Sequence, residues 1–155
     1  MPIALACDHA DVDFAHLICG YIKNFGHDVI CFIPEKGTRV DYPEYAKLAA
    51  GLVVEGKCSG AILICGTGVG MSIAANKIKS IRAVCCSEPY SARLSREHND
   101  ANVLCIGARV VGLELAKDIV RAWLSAEFEG DRHARRLAMI KEIETEIEGG
   151  TKGWR

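Results

Sequence analysis

The 155-residue chain contains no apolar run approaching the roughly 18 residues of a membrane span, and its opening residues, MPIALACDHA, lack the basic segment and long apolar core of a secretory leader. Neither membrane insertion nor export is expected, and the reading is a cytoplasmic protein. The chain also lacks a charge excess. Its 19 Lys and Arg against 20 Asp and Glu leave a formal net charge of −1, so no nucleic-acid or membrane partner is expected. Eight cysteines occur without a Cys-x-x-Cys pair or a His/Cys ligand spacing, which argues against a structural zinc site and against a redox motif of that type. Cys7, Cys31, Cys65, Cys85, Cys86 and Cys105 stand in or at the end of apolar runs and read as small core residues kept reduced. No internal repeat, linker or low-complexity segment divides the chain, and its length suits one domain with a sizeable core.

What is present is a regular alternation. Pro2 to Cys7 reads as a strand; Val12, Leu17, Ile18, Tyr21, Ile22 and Phe25 then recur at helical spacing until Gly26. A strand over 28–33 follows, then a polar stretch, then a helix opened by Pro43 and running to Gly56. A third strand ends at Cys65. The fourth covers 81–86, Ser87 and Pro89 open another helix, the fifth strand covers 102–106, and helices follow over 113–128 and about 132–147. Ile140, Ile143 and Ile147 lie on one stripe of the last helix, and the tail GGTKGWR is expected to fray. Strands separated by helices of this length predict an α/β chain: a three-layer α/β/α, Rossmann-like fold with a five-stranded parallel sheet. One domain is expected over residues 1–148, with 149–155 as a flexible tail. Ligands in such sheets bind beyond the carboxyl ends of the strands, which collects Asp8, His9, Asp41, Tyr42, Cys65 to Gly70 and Glu88.

The most informative stretch is AILICGTGVGMSIAANK, residues 61–77. A buried strand, a glycine-rich turn and a helix make an anion cradle, because Gly66, Gly68 and Gly70 allow a sharp turn while unpaired N–H groups at the helix start face the ligand. Cys65 stands at its mouth, where the same field favours a thiolate. A Walker loop fails for want of a lysine before Lys77. The dinucleotide fingerprint needs glycine and a cysteine phosphatase needs arginine at the position held by Met71. Asp8-His9 pairs a carboxylate with an imidazole at a strand end, suited to proton shuttling, or to nothing more than a helix cap. His98-Asn99 closes a helix, with Asn99 or Asp100 as its stop. Arg132 and Arg136, four residues apart on one helix face, can clamp a phosphate, and His133 and Arg135 make that turn more basic near a helix start, where the dipole disfavours cations.

Taken together, DHA at 8–10, DYPEYA at 41–46, ICGTGVGMSIAANK at 64–77, IRAVCCSEPYSARLSREHNDANVLCIGARVVG at 81–112 and FEGDRHARR at 128–136 resemble the type B ribose-5-phosphate isomerases, a family that also holds allose-6-phosphate and galactose-6-phosphate isomerases. The resemblance covers nearly the whole chain. It implies that Cys65 moves a proton between C1 and C2 of an open-chain sugar phosphate with Thr67 in a positioning role. The loop Gly66, Gly68, Val69 and Gly70 would then stabilise the enediolate oxygen. It implies that His98, helped by Asp8, opens the sugar ring, that Tyr42 and Asn99 orient hydroxyls, and that His9, Arg109, Arg132 and Arg136 hold the phosphate. A homodimer or dimer of dimers with shared sites is implied, the C-terminal helix lying at a subunit interface, and no cofactor or metal is expected.

Two features depart from that pattern. Asp11 stands where the family has glycine, adding a carboxylate near the phosphate site unless it caps the following helix. The stretch CFIPEKGTR, residues 31–39, also differs, and a loop at the strand ends is where sugar length is set. Four-, five- and six-carbon sugar phosphates therefore stay open. A non-catalytic sugar-phosphate sensor has no use for Cys65, Asp8 and His98 together, and a phospho-receiver needs an aspartate where Cys65 stands.

Overall fold

The structure, a computed structural model, describes residues 1–148, with side chains through Thr145. Ile147 of the expected stripe and the tail GGTKGWR lie outside the described side chains and residues. The chain folds in the order β1 (Ile3–Cys7), α1 (Val12–Asn24), β2 (Val29–Phe32), α2 (Tyr42–Val54), β3 (Gly60–Cys65), α3 (Val69–Ala75), β4 (Ala83–Cys85), α4 (Pro89–Asn99), β5 (Val103–Gly107), α5 (Leu113–Ser125) and α6 (Asp131–Glu148). The five strands form one parallel sheet in the order β2-β1-β3-β5-β4. The expected three-layer fold is therefore present. The chain leaves β1 toward β2 on one side and reaches β3 on the other, so the topological switch point lies between β1 and β3, where Cys7 pairs with Ile64.

Strand alternation divides the core into two unequal faces. On one, Ile3, Leu5, Ile62, Ile64, Leu104 and Ile106 bury against α1 and α5 through Phe14, Ile18, Ile119 and Trp123. On the other, Ala4, Ala6, Ala61, Leu63 and Cys105 meet Ala46, Ala49 and Ala50 of α2 and Met71 and Ala75 of α3. Alanine against alanine brings α2 and α3 close to the sheet, and this closeness sets the positions of the loops that open both helices.

Several boundaries differ from the sequence pattern. Helix α5 ends at Ser125 rather than at residue 128. The expectation that the strand cysteines are core residues holds for Cys7, Cys65, Cys86 and Cys105 but fails for Cys31 and Cys85, which are exposed. Both lie on edge strands, which have a neighbour on one side only. Glu88, collected as a ligand candidate, instead caps α4 by accepting from the N–H groups of Tyr90 and Ser91.

Asp11 is the N-cap of α1, its Oδ1 accepting from the Phe14 N–H at 2.9 Å. Asp11→Ala is therefore expected to remove about 1 kcal/mol of stability, read as a lower urea midpoint, with KM for a sugar phosphate of the kind the resemblance implies unchanged. A fall in KM would instead place this carboxylate against the phosphate.

Candidate active site

At the carboxyl end of β3 the chain turns through Gly66 and Thr67 into Gly68, which adopts the left-handed conformation with φ of 79°. That turn aims the Gly68 N–H at Cys65 Sγ, 3.2 Å away, so the thiol of a buried cysteine receives a backbone donor fixed by the fold. A side chain at Gly68 is excluded both by the backbone angle and by crowding, since an added Cβ would lie 2.7 Å from Cys85 Sγ and 3.0 Å from the Ile106 carbonyl carbon. Gly107, at the end of neighbouring β5, is equally required: a Cβ there would stand 2.6 Å from the Thr67 backbone. The loop after β5 also ties itself to the glycine-rich loop, with Ala108 N donating to the Cys65 carbonyl at 2.9 Å and Arg109 N to the Gly66 carbonyl at 3.0 Å.

The other residues of this end converge on the same loop. Arg109 lays its side chain over Gly66, and the Tyr42 ring lies on Gly70, with ring carbons 2.9 and 3.0 Å from where a Cβ would stand. Asp8, at the end of β1, is buried and its Oδ1 accepts from the Ala10 N–H at 2.9 Å. His9 is exposed, with Nδ1 2.9 Å from the Val40 carbonyl oxygen. The Val40 N–H lies 3.3 Å from the same nitrogen, so the ring is held against the Val40 peptide. Asp8, His9, Tyr42, Cys65, Thr67, Gly66, Gly68, Val69, Gly70 and Arg109 thus belong to one group at the switch point.

His98, Asn99, Arg132 and Arg136 do not. Helix α4 leaves the carboxyl end of β4 and must return to the start of parallel β5, and its 11 residues carry it about 16 Å along the sheet. Its last residues accordingly reach the opposite end, where Arg82, just before β4, donates from Nε to the Asn99 carbonyl at 2.9 Å. Asp100 stops the helix in the left-handed conformation, as the sequence allowed. Between α4 and the exposed edge of β4 runs a groove of about 520 Å³, lined among others by Cys85, Ser91, Ser95, His98 and Asn99.

At that far end His98 stacks on buried His133 of α6, with ring centroids 4.2 Å apart and planes 8° from parallel. Burial, then the neighbouring charges of His98 and Arg132, hold His133 below its ordinary pKa, and Glu129, 3.5 Å from its Nε2, opposes them more weakly. Among the described residues Arg132 and Arg136 have no hydrogen-bond or ion-pair partner, which leaves two guanidinium groups one turn apart free for an anion. His98, Glu129 and His133 bring metal-ligand atoms within 4.8 Å of one another. Stacked rings, however, direct their nitrogen lone pairs side by side rather than at one point, and the neighbouring arginines repel a cation, which argues against a metal at this cluster. Gly107, Glu129 and the stacking role of His133 were missed in the sequence. A glycine ending an apolar strand beside a basic residue was the available signal for Gly107; nothing local marks the other two.

A parallel sheet of this order, with a thiol and a backbone donor at its switch point and a separate pair of free arginines, defines an α/β enzyme for a small anionic substrate. Residues 3–140 match the Ribose/Galactose Isomerase family. Ribose-5-phosphate isomerase B of Escherichia coli strain K12 is 56% identical over 146 residues, covering 92% of this chain and 95% of that protein. D-erythrulose-4-phosphate isomerase of Pectobacterium atrosepticum is 42% identical over 141 residues, with 90% and 93% coverage. The solved structure of Clostridium thermocellum ribose-5-phosphate isomerase B superposes with a TM-score of 0.92 at 49% identity, covering 95% of this chain and 99% of that one. The chain therefore belongs to the ribose/galactose isomerase family, and it is an isomerase.

Proposed function

We propose that the protein interconverts ribose 5-phosphate and ribulose 5-phosphate through an enediolate, as a cytoplasmic homodimer or dimer of dimers. The observation that carries the chemistry is the Gly68 N–H directed at Cys65 Sγ. Aldose–ketose exchange needs one group that takes a proton from carbon and returns it to the neighbouring carbon, with donors at the oxygen that becomes negative in between. Cys65 is the proton carrier, Thr67 and the loop through Gly70 hold the enediolate, and Tyr42 orients a hydroxyl.

The remaining steps need the second group of residues, which lies at the other end of the same sheet. A two-fold-related copy that packs its α4 in the reverse direction along the β4 edge carries its own His98 and Asn99 to Cys65. The partner's His98, beside Asp8, then opens the sugar ring, and its Asn99 orients a hydroxyl. The phosphate is bound where the chains meet, by Arg132 and Arg136 on α6 with His9 and Arg109. Exposed apolar residues on the two helices that flank β4 support that packing: Val69 and Ile73 of α3 and Tyr90 of α4 are at least half exposed in the single chain. Helix α6 belongs to that interface. The domain is residues 1–148, and the reaction uses no cofactor or metal.

The test is turnover of ribose 5-phosphate beside allose 6-phosphate, galactose 6-phosphate and erythrulose 4-phosphate. Ribose 5-phosphate is expected to give the highest kcat/KM, at least about tenfold above the others, a preference of about 1.4 kcal/mol. Preference for erythrulose 4-phosphate would keep the isomerase chemistry and move the substrate, with residues 31–39 as the first place to look.

A further inference from the structure

The molecule carries a pair of thiols that the proposed isomerase chemistry does not use. Cys19, in the middle of α1, is 7% exposed, while Cys31, on edge strand β2, is open to solvent. Their sulfurs are 2.8 Å apart, one thiol bonded to the other across the α1–β2 packing. An ordinary disulfide measures about 2.05 Å, so the sulfurs have roughly 0.75 Å left to close. Strand β2 pairs with β1 alone, leaving its outer side unrestrained. Cys31 also shares the α1-facing side of the strand with Val29, which packs into the core beneath that helix.

We propose that Cys19 and Cys31 form a thiol pair that oxidation by a peroxide closes to a reversible intrachain disulfide between α1 and β2. A peroxide ROOH oxidises one thiol to a sulfenic acid, its O–O bond breaking to release ROH. The sulfur of the second thiol then attacks the sulfenic sulfur, the S–O bond breaks, and the hydroxyl leaves as water with the second thiol's proton. In sum two thiols lose two electrons, and the peroxide becomes ROH and water. A dithiol reductant reverses the bond by exchange.

Proximity drives this closure, not acidity. Partial desolvation of the sulfur on an otherwise exposed residue, then the bond to Cys19, pushes Cys31 up to about 12, so the first oxidation is slow. Once either sulfur is a sulfenic acid, its partner is already in contact, and ring closure outruns further oxidation to the sulfinic acid. Cys7, buried at the end of β1, is likewise held as a thiol at about 12 and lies outside this contact.

The full chain treated with hydrogen peroxide, alkylated and digested with trypsin tests the pairing. Cleavage after Lys23 and Lys36 places Cys19, with Cys7, in peptide 1–23 and Cys31 in peptide 24–36. The expected product is these two peptides cross-linked, about 2 Da lighter than their sum, with fragment ions locating the bond at Cys19 and with both thiols recovered by dithiothreitol. Cys31→Ser should abolish the cross-link. A bond at Cys7, a cross-link between chains through Cys31, or Cys19 and Cys31 both remaining alkylatable while other thiols oxidise would each overturn the proposal.

Discussion

Replacing Cys65 by alanine is expected to lower kcat for ribose 5-phosphate by about 10³-fold, roughly 4 kcal/mol of transition-state stabilisation, with KM changed less than about threefold. The split follows from placement. The thiol sits at the switch point with its backbone donor, whereas the arginines proposed to bind phosphate lie on α6, so on the proposed mechanism the deletion removes the proton carrier and leaves the anchoring charge. Folding should survive, because Cys65 is a small side chain within the alanine-rich face and its removal opens little volume. The decisive companion measurement is exchange of the substrate's carbon-bound proton with deuterated solvent, which Cys65→Ala should lose in step with turnover. A variant that keeps a tenth of the wild-type kcat, or exchanges protons while failing to isomerise, would put the base elsewhere.

The strength of that expectation reflects how local the Cys65 signal is. Strand, glycine-rich turn and helix follow one another within residues 61–77, and every contact that shapes the thiol's surroundings on its own loop is written in that stretch. The five strands were legible for the same reason: each is a short apolar run bounded by polar or glycine residues. The strand order was not, since β5 inserts between β3 and β4 through pairings more than 15 residues apart in the chain. Two consequences of that order escaped the sequence. Edge positions expose Cys31 and Cys85, although their apolar neighbours read as core. The second concerns His98. The resemblance implies a site shared between subunits but does not say which residues come from which chain; a helix that returns along a parallel sheet carries its last residues, His98 among them, to the end away from its own Cys65. His133 needed still more, because its partner is reached only when α6 packs on α4.

The separation of those two groups makes a second expectation that no single-chain site can satisfy. Cys65→Ala and His98→Asn are each expected to be nearly inactive alone, yet an equal mixture, allowed to exchange subunits, should recover about one quarter of wild-type turnover. Half of the randomly paired dimers then contain one chain of each kind. In such a dimer one site joins the intact Cys65 of one chain to the intact His98 of the other, while the second site carries both lesions. One site in four is whole. If both residues served the same chain's site, every chain in the mixture would carry a lesion and no activity would return. The control is the same mixture without exchange, which should stay as inactive as its components. Recovery that rises with the extent of exchange would tie the roughly 16 Å traverse of α4 directly to catalysis: the helix that takes His98 away from its own Cys65 would then be the element that delivers it to its partner's.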